Sequence, residues 1–201
     1  MSLSLKPHHV SSTNYPFTYK DNVFTPAEID AIVNYGDCHG LEESVLFDAD
    51  GNQDYRFRKS QTKFHDVNVN NRWIFNKLIK AADEVNQESY QFDLTGFDNF
   101  QYTVYSGNEY YHYHMDTIFG EQTIDRHSHL TRKLSASLVL SDNFTGGDFE
   151  ICLGNPNDPV RLEQKKGRIL FFPSYMLHRV TPVLTGTRKS IVIWCLGPKF
   201  K

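Results

Sequence analysis

The sequence predicts a mainly β fold, a jelly-roll barrel (a double-stranded β-helix) buttressed by helices near the N-terminus. Two observations predict it. Two helical patterns come first, and from Phe97 onward the chain consists of short strand-like runs separated by glycine and proline. We expect the 201 residues to form a single domain, with helical support over 20–97 and the jelly-roll core over 98–198.

The first helix is predicted from its start and stop signals. Thr25 and Glu28 have the spacing of a capping box, and Pro26 occupies the first helical position. We expect this helix to run to about Tyr35 and to end at Gly36.

A second, longer helix is predicted from Arg72 to about Gln87, with Asn71 as its N-cap. Between the two helices, Leu41 to Arg58 is polar, and residues 48–52 have the composition of a turn. Apolar residues recur at helical spacing in the second helix and predict one buried stripe: Ile74, Leu78, Ala82 and Val85.

The second half of the chain predicts an antiparallel sandwich or barrel, because many short strands alternate with glycine-rich turns. The predicted strands are Asn99–Tyr105, Tyr111–Asp116, Lys133–Leu140, Asp148–Cys152, Arg168–Phe172, His178–Pro182 and Ser190–Leu196.

Composition excludes several classes of protein. An apolar content of 39% and an aromatic content of 14% are typical of a folded globule, and a net charge of −3 gives no reason to expect nucleic-acid binding. The three cysteines show no CxxC spacing, which favours reduced thiols over a disulfide framework. The N-terminus lacks the pattern of a secretory signal, and no stretch has the length of a membrane span. We therefore expect a soluble cytoplasmic protein; its oligomeric state stays open.

The candidate functional residues are His114, Asp116 and His178. On a strand, alternate side chains point the same way, so His114 and Asp116 can reach one ion, and His178 must come from a neighbouring strand. Two imidazoles and one carboxylate can occupy one face of an octahedral iron(II) and leave the opposite face open. The alternative is a cross-strand hydrogen-bonded pair, but a buried aspartate is costly without a charge or a metal beside it.

Arg188 follows His178 by ten residues and lies at the start of the last strand-like segment, two residues before Ser190. At this position it could anchor a dicarboxylate co-substrate. Its alternative role is that of a surface residue with its charge in water.

Taken in order and spacing, the motifs of the C-terminal half resemble those of the iron(II)- and 2-oxoglutarate-dependent oxygenases, on the prolyl 4-hydroxylase-like branch. The resemblance is carried by Tyr105-Ser106-Gly107, Tyr111, His114-x-Asp116, Leu134 to Ser141, Gly146-Gly147-Asp148-Phe149, Gly167 to Pro173, His178-x-Val180-x-Pro182-Val183 and Gly186-x-Arg188-x-Ser190-x-x-x-Trp194. The helix from Arg72 resembles the same branch more loosely.

The resemblance implies roles for the residues that match. His114, Asp116 and His178 would bind Fe(II). Arg188 would pair with the distal carboxylate of 2-oxoglutarate, which suits its planar fork. Tyr105 matches a family tyrosine whose hydroxyl assists the co-substrate site.

Other matching residues would form the pocket. Tyr111 and Trp194 would line it beside the metal; for Trp194 an ordinary core position is the alternative. Ser135, Ser137 and Val139 alternate along one strand face and could form its wall, with Ser137 assigned to the co-substrate. Some relatives carry a tyrosine at the position of Val139, so the resemblance implies that one co-substrate hydrogen bond is absent in this chain.

Substrate contacts are predicted at His112, Arg126 and His127. His112 shares strand parity with the ligands, but a fourth protein ligand would close a position that the co-substrate and oxygen need, so we assign it to the rim. Residues 126–133 form a basic, histidine-bearing segment, for which a solvated loop and a lid over an acidic or peptide substrate are the two interpretations.

The resemblance implies an enzyme that uses Fe(II), 2-oxoglutarate and O2, with ascorbate as a possible reductant, and that hydroxylates an unactivated C–H bond while releasing succinate and CO2. Its prolyl hydroxylase character implies a prolyl residue in a protein or peptide as the substrate. A free amino acid or small metabolite is the alternative.

Three other classes are less consistent with the sequence. A non-catalytic jelly-roll binding module would need neither the triad nor Arg188. A zinc hydrolase would need an adjacent glutamate base, which the chain does not supply. The nucleic-acid demethylases that share the triad typically carry a second arginine near the position of Trp194. We therefore expect neither nucleic-acid nor membrane partners.

Overall fold

The structure is a computed structural model that describes residues 15–44, 46–47, 53–54, 56–117 and 129–200. The turn predicted at 48–52, and the substrate contacts predicted at Arg126 and His127, lie outside these ranges.

The first helix, α1, spans Pro26–Asp37 and begins at the predicted capping box. Thr25 Oγ1 accepts a hydrogen bond from the Glu28 N–H at 3.3 Å, and Glu28 Oε2 accepts one from the Thr25 N–H at 2.8 Å. Gly36, however, lies inside the helix, so the prediction that it ends the helix is wrong. A Cβ at Gly36 would lie 2.5 Å from the ring of Tyr102, which explains the glycine by close packing against the sheet.

The second helix, α2, spans Arg72–Val85 and continues into a π-helical turn over Asn86–Tyr90. The Asn71 side chain does not cap it, contrary to the prediction. It donates instead to the Asp66 carbonyl at 2.9 Å, and so fixes the loop that leads into the helix. The predicted apolar stripe is confirmed and is wider than expected, because Phe75 and Ala81 are also buried.

Each of the seven predicted strands has a counterpart, with boundaries shifted by a few residues. The strands are β1 (Thr18–Lys20), β2 (Glu42–Ser44), β3 (Leu46–Phe47), β4 (Gln53–Asp54), β5 (Arg58–His65), β6 (Gly96–Phe97), β7 (Phe100–Ser106), β8 (Tyr110–His114), β9 (Leu130–Val139), β10 (Phe144–Gly146), β11 (Phe149–Ile151), β12 (Val160–Leu162), β13 (Ile169–Pro173), β14 (His178–Val180) and β15 (Val183–Pro198).

Apart from β3 and β4, which pair with each other in a separate two-stranded sheet, the strands form one curled antiparallel sheet, which confirms the mainly β jelly-roll prediction. Its first layer has the order β1-β13-β9-β15-β7-β5, and the sheet continues from β5 into β8-β14-β11-β12. Strand β5 joins the two layers, because Gln61 to His65 pair with β7 while Arg58 and Lys59 pair with β8. This strand lies within residues 20–97, for which the sequence predicts helical support.

Side-chain alternation divides the first layer into two faces. One face packs against α1 and α2 and forms the main core with residues such as Phe100, Tyr102, Leu138 and Ile191. The opposite face looks toward the second layer, where a smaller apolar cluster contains Phe149, Phe172 and Val180. The functional residues lie between the two layers, so the helices support the site without contributing to it.

Within the described ranges, neither helix has the length and apolar run that a membrane crossing requires. The three cysteines are free, with Cys152 and Cys195 buried.

Candidate metal and co-substrate site

The structure brings the three predicted ligands together between the layers. His178 on β14 pairs with His114 on β8, and Asp116 lies just beyond the end of β8 rather than on the strand. One ligand atom from each residue lies within 4.8 Å of the others. The two Asp116 oxygens are each 3.7 Å from an imidazole Nε2, one from His114 and one from His178. This compact arrangement of two imidazole nitrogens and one carboxylate suits a divalent first-row metal.

Hydrogen bonds orient both imidazoles. His114 Nδ1 lies 2.8 Å from the His112 carbonyl, and His178 Nδ1 lies 2.9 Å from the Met176 carbonyl. Since a carbonyl can only accept, each Nδ1 carries a proton, and each Nε2 is left as the ring nitrogen that faces Asp116.

Asp116 is positioned by its neighbours. Its Oδ2 accepts a hydrogen bond from Ser135 Oγ at 2.7 Å, and its backbone N–H donates to the Ser174 carbonyl at 2.8 Å. Ser135 is in turn 2.9 Å from Ser174 Oγ. The Trp194 N–H is close enough to lower the pKa of Asp116, although it forms no hydrogen bond.

Protonation states match metal binding. Burial, reinforced by the neighbouring His178, lowers the pKa of His114 to about 3, so this imidazole is neutral near pH 7. Burial acts to raise the pKa of Asp116, but His178, His114 and the Ser135 hydrogen bond outweigh it and hold that pKa below its ordinary value. A neutral imidazole and an ionised carboxylate are the forms that bind metals.

A cavity of about 360 Å³ opens beside the three ligands. It holds aromatic, polar and cationic side chains together. Besides the ligands, it is lined by Arg58, Phe64, Gln101, Tyr105, Tyr111, Met115, Arg132, Ser137, Phe149, Phe172, Val180, Arg188, Ser190, Val192 and Trp194.

Arg188 lies in this cavity and is 1% exposed. Its Nε donates to Gln164 Oε1 at 2.8 Å and its Nη1 to Ser190 Oγ at 3.1 Å, while its buried Nη2 has no hydrogen-bond partner. Burial lowers its pKa. No carboxylate among the described residues forms an ion pair with it, so a buried cation with a free donor faces the cavity. This is the arrangement that an anionic ligand would satisfy.

Gly147 and Gln164 make room for Arg188 and hold it. Gly147 has φ +61°, and a Cβ there would lie 3.1 Å from Arg188 Cδ. Gln164 Nε2 donates to the Gly147 carbonyl at 2.8 Å, which directs its Oε1 to Arg188. The sequence analysis did not identify Gln164.

The other predicted pocket residues are placed as follows. Tyr105, Tyr111, Ser137 and Trp194 line the cavity, and burial raises the pKa of both tyrosines. The Tyr111 ring stacks on His114 with 3.5 Å between centroids. Val139 lies on β9 with Ser137 and is fully buried, but it does not line the cavity.

His112 is not among the residues that approach the ion site. Its side chain is exposed, and its contribution is the carbonyl that orients His114. Alternation alone could not distinguish these two histidines, because both have the same strand parity.

Arg58 is the main site residue that the sequence analysis missed. It is 7% exposed and lines the cavity opposite Tyr111, with its guanidinium carbon 4.4 Å from the centre of that ring. Along β5, buried and exposed side chains alternate. The buried positions include the polar residues Arg58, Ser60 and Thr62, so hydrophobicity does not alternate with burial. Regular polar alternation next to a predicted sheet was the only available signal.

Comparison with known proteins agrees with this geometry. Residues 100–196 match the sequence model of the 2OG-Fe(II) oxygenase superfamily. A PKHD-type hydroxylase of Verminephrobacter eiseniae (strain EF01-2) is 33% identical over 92 residues, which are 44% of this chain and 39% of that protein. The chain therefore spans about two fifths of the length of that hydroxylase.

Two solved structures have the same fold. The viral collagen prolyl hydroxylase of Paramecium bursaria Chlorella virus-1, in complex with 2OG, has a TM-score of 0.68 at 17% identity and covers 91% of this chain and 97% of its own. A prolyl hydroxylase from Trichoplax adhaerens, in complex with a hypoxia inducible factor peptide fragment, has a TM-score of 0.69 at 18% identity, covering 91% of this chain and 84% of its own.

The matched region contains all three ligands and Arg188, which confirms the resemblance found in the sequence. Residues 100–196 therefore match the 2OG-Fe(II) oxygenase superfamily in sequence, and prolyl hydroxylases are structural neighbours of the chain.

Proposed function

We propose that this protein is an Fe(II)- and 2-oxoglutarate-dependent hydroxylase that acts on a prolyl residue in a protein or peptide. One observation carries the proposal. A three-ligand site with an open face and a buried arginine with a free donor share a single cavity. When bound, the Fe(II) and 2-oxoglutarate supply the means to activate O2 and to hydroxylate a C–H bond, with succinate and CO2 as co-products.

His114, Asp116 and His178 would hold the metal. Their hydrogen bonds to the His112 carbonyl, the Met176 carbonyl and Ser135 fix their directions before the metal arrives, and such outer contacts support affinity. Three protein ligands would leave the remaining coordination positions of the metal to small ligands. This agrees with the exposed side chain of His112, which does not approach the ion site.

Arg188 would bind the distal carboxylate of 2-oxoglutarate. Its Nη2 is the free donor, and Gln164 and Ser190 hold the rest of the guanidinium. Tyr105 packs beside it, with the Arg188 guanidinium carbon 5.5 Å from the Tyr105 ring centre, and offers a hydroxyl at the same end of the cavity. These contacts would orient a dicarboxylate in the cavity.

The cavity walls would exclude water from the reacting atoms. Phe149 and Phe172 both lie against the His178 ring, at 5.4 and 4.7 Å between centroids. Val180 and Val192 add apolar surface. A dry wall strengthens the electrostatic contacts inside and protects the reactive centre from side reactions.

The prolyl assignment is supported by the structural neighbours, of which one is described as a collagen prolyl hydroxylase and another was solved with a peptide fragment. The cavity mouth is also open and partly apolar, since Phe64 and Met115 are about half exposed there. Such a rim can accommodate a pyrrolidine ring within an extended peptide.

The test is to incubate the Fe(II)-loaded protein with 2-oxoglutarate, ascorbate and a library of proline-containing peptides. We expect succinate release coupled to the gain of one oxygen atom on proline, measured by mass spectrometry. His178→Ala should lose both signals. Oxygen incorporation only into free amino acids would overturn the peptide assignment, and no coupled succinate release from any peptide or metabolite would overturn the hydroxylase.

A further inference from the structure

We propose that the substrate presents a carboxylate group to Arg58, so that the enzyme selects anionic substrates. This rests on the proposed function, because Arg58 lies in the same cavity as the metal and co-substrate residues. The carboxylate could be the terminal group of an amino acid or peptide, or an acidic side chain.

Arg58 is a hydrogen-bond donor that its neighbours hold in place at the cavity wall. Its Nε donates to Ser60 Oγ at 2.9 Å, which fixes the plane of the guanidinium. The group stacks over Tyr111, which itself stacks on His114, so a single aromatic ring separates Arg58 from one of the proposed metal ligands. Its Nη2 is buried and has no hydrogen-bond partner. A buried donor without a partner is costly, and a ligand group that accepts from it removes that cost.

The charges around the cavity leave Arg58 without a counterion. Of the cationic side chains that line it, Arg132 is paired with Asp98 at 2.8 Å. In the proposed function Arg188 binds 2-oxoglutarate and Asp116 binds the metal. With both bound, the two positive charges of the metal ion cancel the two negative charges of 2-oxoglutarate. The positive charge of Arg188 likewise cancels the negative charge of Asp116. Arg58 then carries one unbalanced positive charge, and no carboxylate in the described part of the chain forms an ion pair with it.

A carboxylate fits this position better than a peptide carbonyl does. A carbonyl would accept one hydrogen bond from Nη2 but would leave the buried charge uncompensated. A carboxylate satisfies the donor and the charge together, and its two oxygens match the guanidinium fork.

The experiment measures binding rather than turnover. Protein loaded with Fe(II) and 2-oxoglutarate under anaerobic conditions is titrated with three matched pairs of probes. These are L-proline and L-prolinamide, Ac-Ala-Pro with a free or an amidated C-terminus, and amidated Ac-Ala-Pro-Glu or Ac-Ala-Pro-Gln. Dissociation constants are measured by calorimetry. The change in the visible metal-to-ligand charge-transfer absorption band on binding gives a second readout.

In wild-type protein we expect at least one pair to favour the acid by about tenfold or more, and that pair identifies the source of the carboxylate. Arg58→Met, which retains most of the apolar stem over Tyr111, should abolish the preference, and Arg58→Lys should retain part of it. Lys59→Met is the matched control, because Lys59 is an exposed cation on the same strand and should leave the preference intact.

Equal binding of acid and amide in every pair, no binding of any acid, or an equal loss for both members in Arg58→Met would overturn the inference. Such a result together with succinate release by wild-type protein would leave the proposed hydroxylase standing. Failure to bind 2-oxoglutarate or to release succinate would instead remove the proposed function itself.

Discussion

His178 lies opposite His114 across the antiparallel pair of β14 and β8, with 4.2 Å between the ring centroids. This pairing joins residues that are 64 positions apart in the chain. It turns two isolated histidines into neighbours, and Asp116 completes the set from the bend that follows β8. The candidate metal site therefore depends on the register of one pair of strands.

His178→Ala should abolish metal binding, because only two ligands would remain. An anaerobic titration with Fe(II) and 2-oxoglutarate should give a visible charge-transfer band in wild-type protein and none in the variant. His112→Ala is the matched control, since His112 is exposed and acts only through its carbonyl, which alanine retains. Loss of the band in both variants would contradict the assignment of the ligands.

Arg188→Met should weaken 2-oxoglutarate binding by about 10- to 100-fold, which corresponds to the roughly 1.5–3 kcal/mol of a hydrogen bond to a charged group. The affinity for Fe(II) alone should change little, because Arg188 does not touch the ligands. Lys189→Met serves as the control, since Lys189 pairs with Asp37 away from the cavity. The dissociation constant for 2-oxoglutarate, followed through the charge-transfer band, is the measurement.

Gln164→Leu should weaken 2-oxoglutarate binding by about 3- to 10-fold, less than Arg188→Met, because it removes one neutral partner of the guanidinium, worth about 1 kcal/mol. The Fe(II) affinity should stay at the wild-type value. Glu163→Gln, at the neighbouring exposed residue, is the control. A loss in Gln164→Leu equal to that of Arg188→Met would mean that Gln164 contacts the co-substrate directly.

Gly36→Ala should lower the free energy of unfolding by about 2–3 kcal/mol, since the added methyl would meet the Tyr102 ring at 2.5 Å. Gly96→Ala is the control, because nothing lies within 4 Å of its Cβ position and its φ is not in the left-handed region. Its unfolding free energy should change by less than about 0.5 kcal/mol. Denaturant titration measures both, and equal stability of the two variants would contradict the packing argument.

His65 should make stability depend on pH. Burial, together with the charges of His39 and Lys63, lowers the pKa of His65 to about 4 from 6.5. Between these values the unfolded chain binds a proton that the folded protein does not. Stability from this group is therefore full above about pH 6.5 and falls as the pH drops toward 4.

We expect this group to lose roughly 1–2 kcal/mol of stabilisation across that pH window. His65→Phe should flatten the curve there, since its ring can keep the contact with Phe100 and does not titrate. Parallel pH profiles of unfolding free energy for wild-type protein and His65→Phe would contradict the prediction.

Local signals made much of the fold predictable. The capping box at Thr25, the apolar stripe that includes Leu78 and the runs of β-branched and aromatic residues such as Ile191 each depend on neighbours a few positions away. The prediction failed at two helix ends, where a contact outside the helix decides the role of the residue. Gly36 was assigned to a helix end because the ring of Tyr102 is invisible to local sequence, and Asn71 bonds to the loop before it rather than to the helix.

By itself, the sequence determined the identities of the residues that matter chemically: two histidines and an aspartate in a spacing typical of a metal site, and an arginine on the last strand. Only the tertiary structure decided that Arg188 is buried with a free donor, that Gln164 holds it and that Arg58 faces the same cavity. The physical reason is that hydrophobic periodicity reports which face of an element is dry. A polar cavity inside the protein is lined by side chains that carry the same pattern as the outer surface, so only the folded chain distinguishes the two.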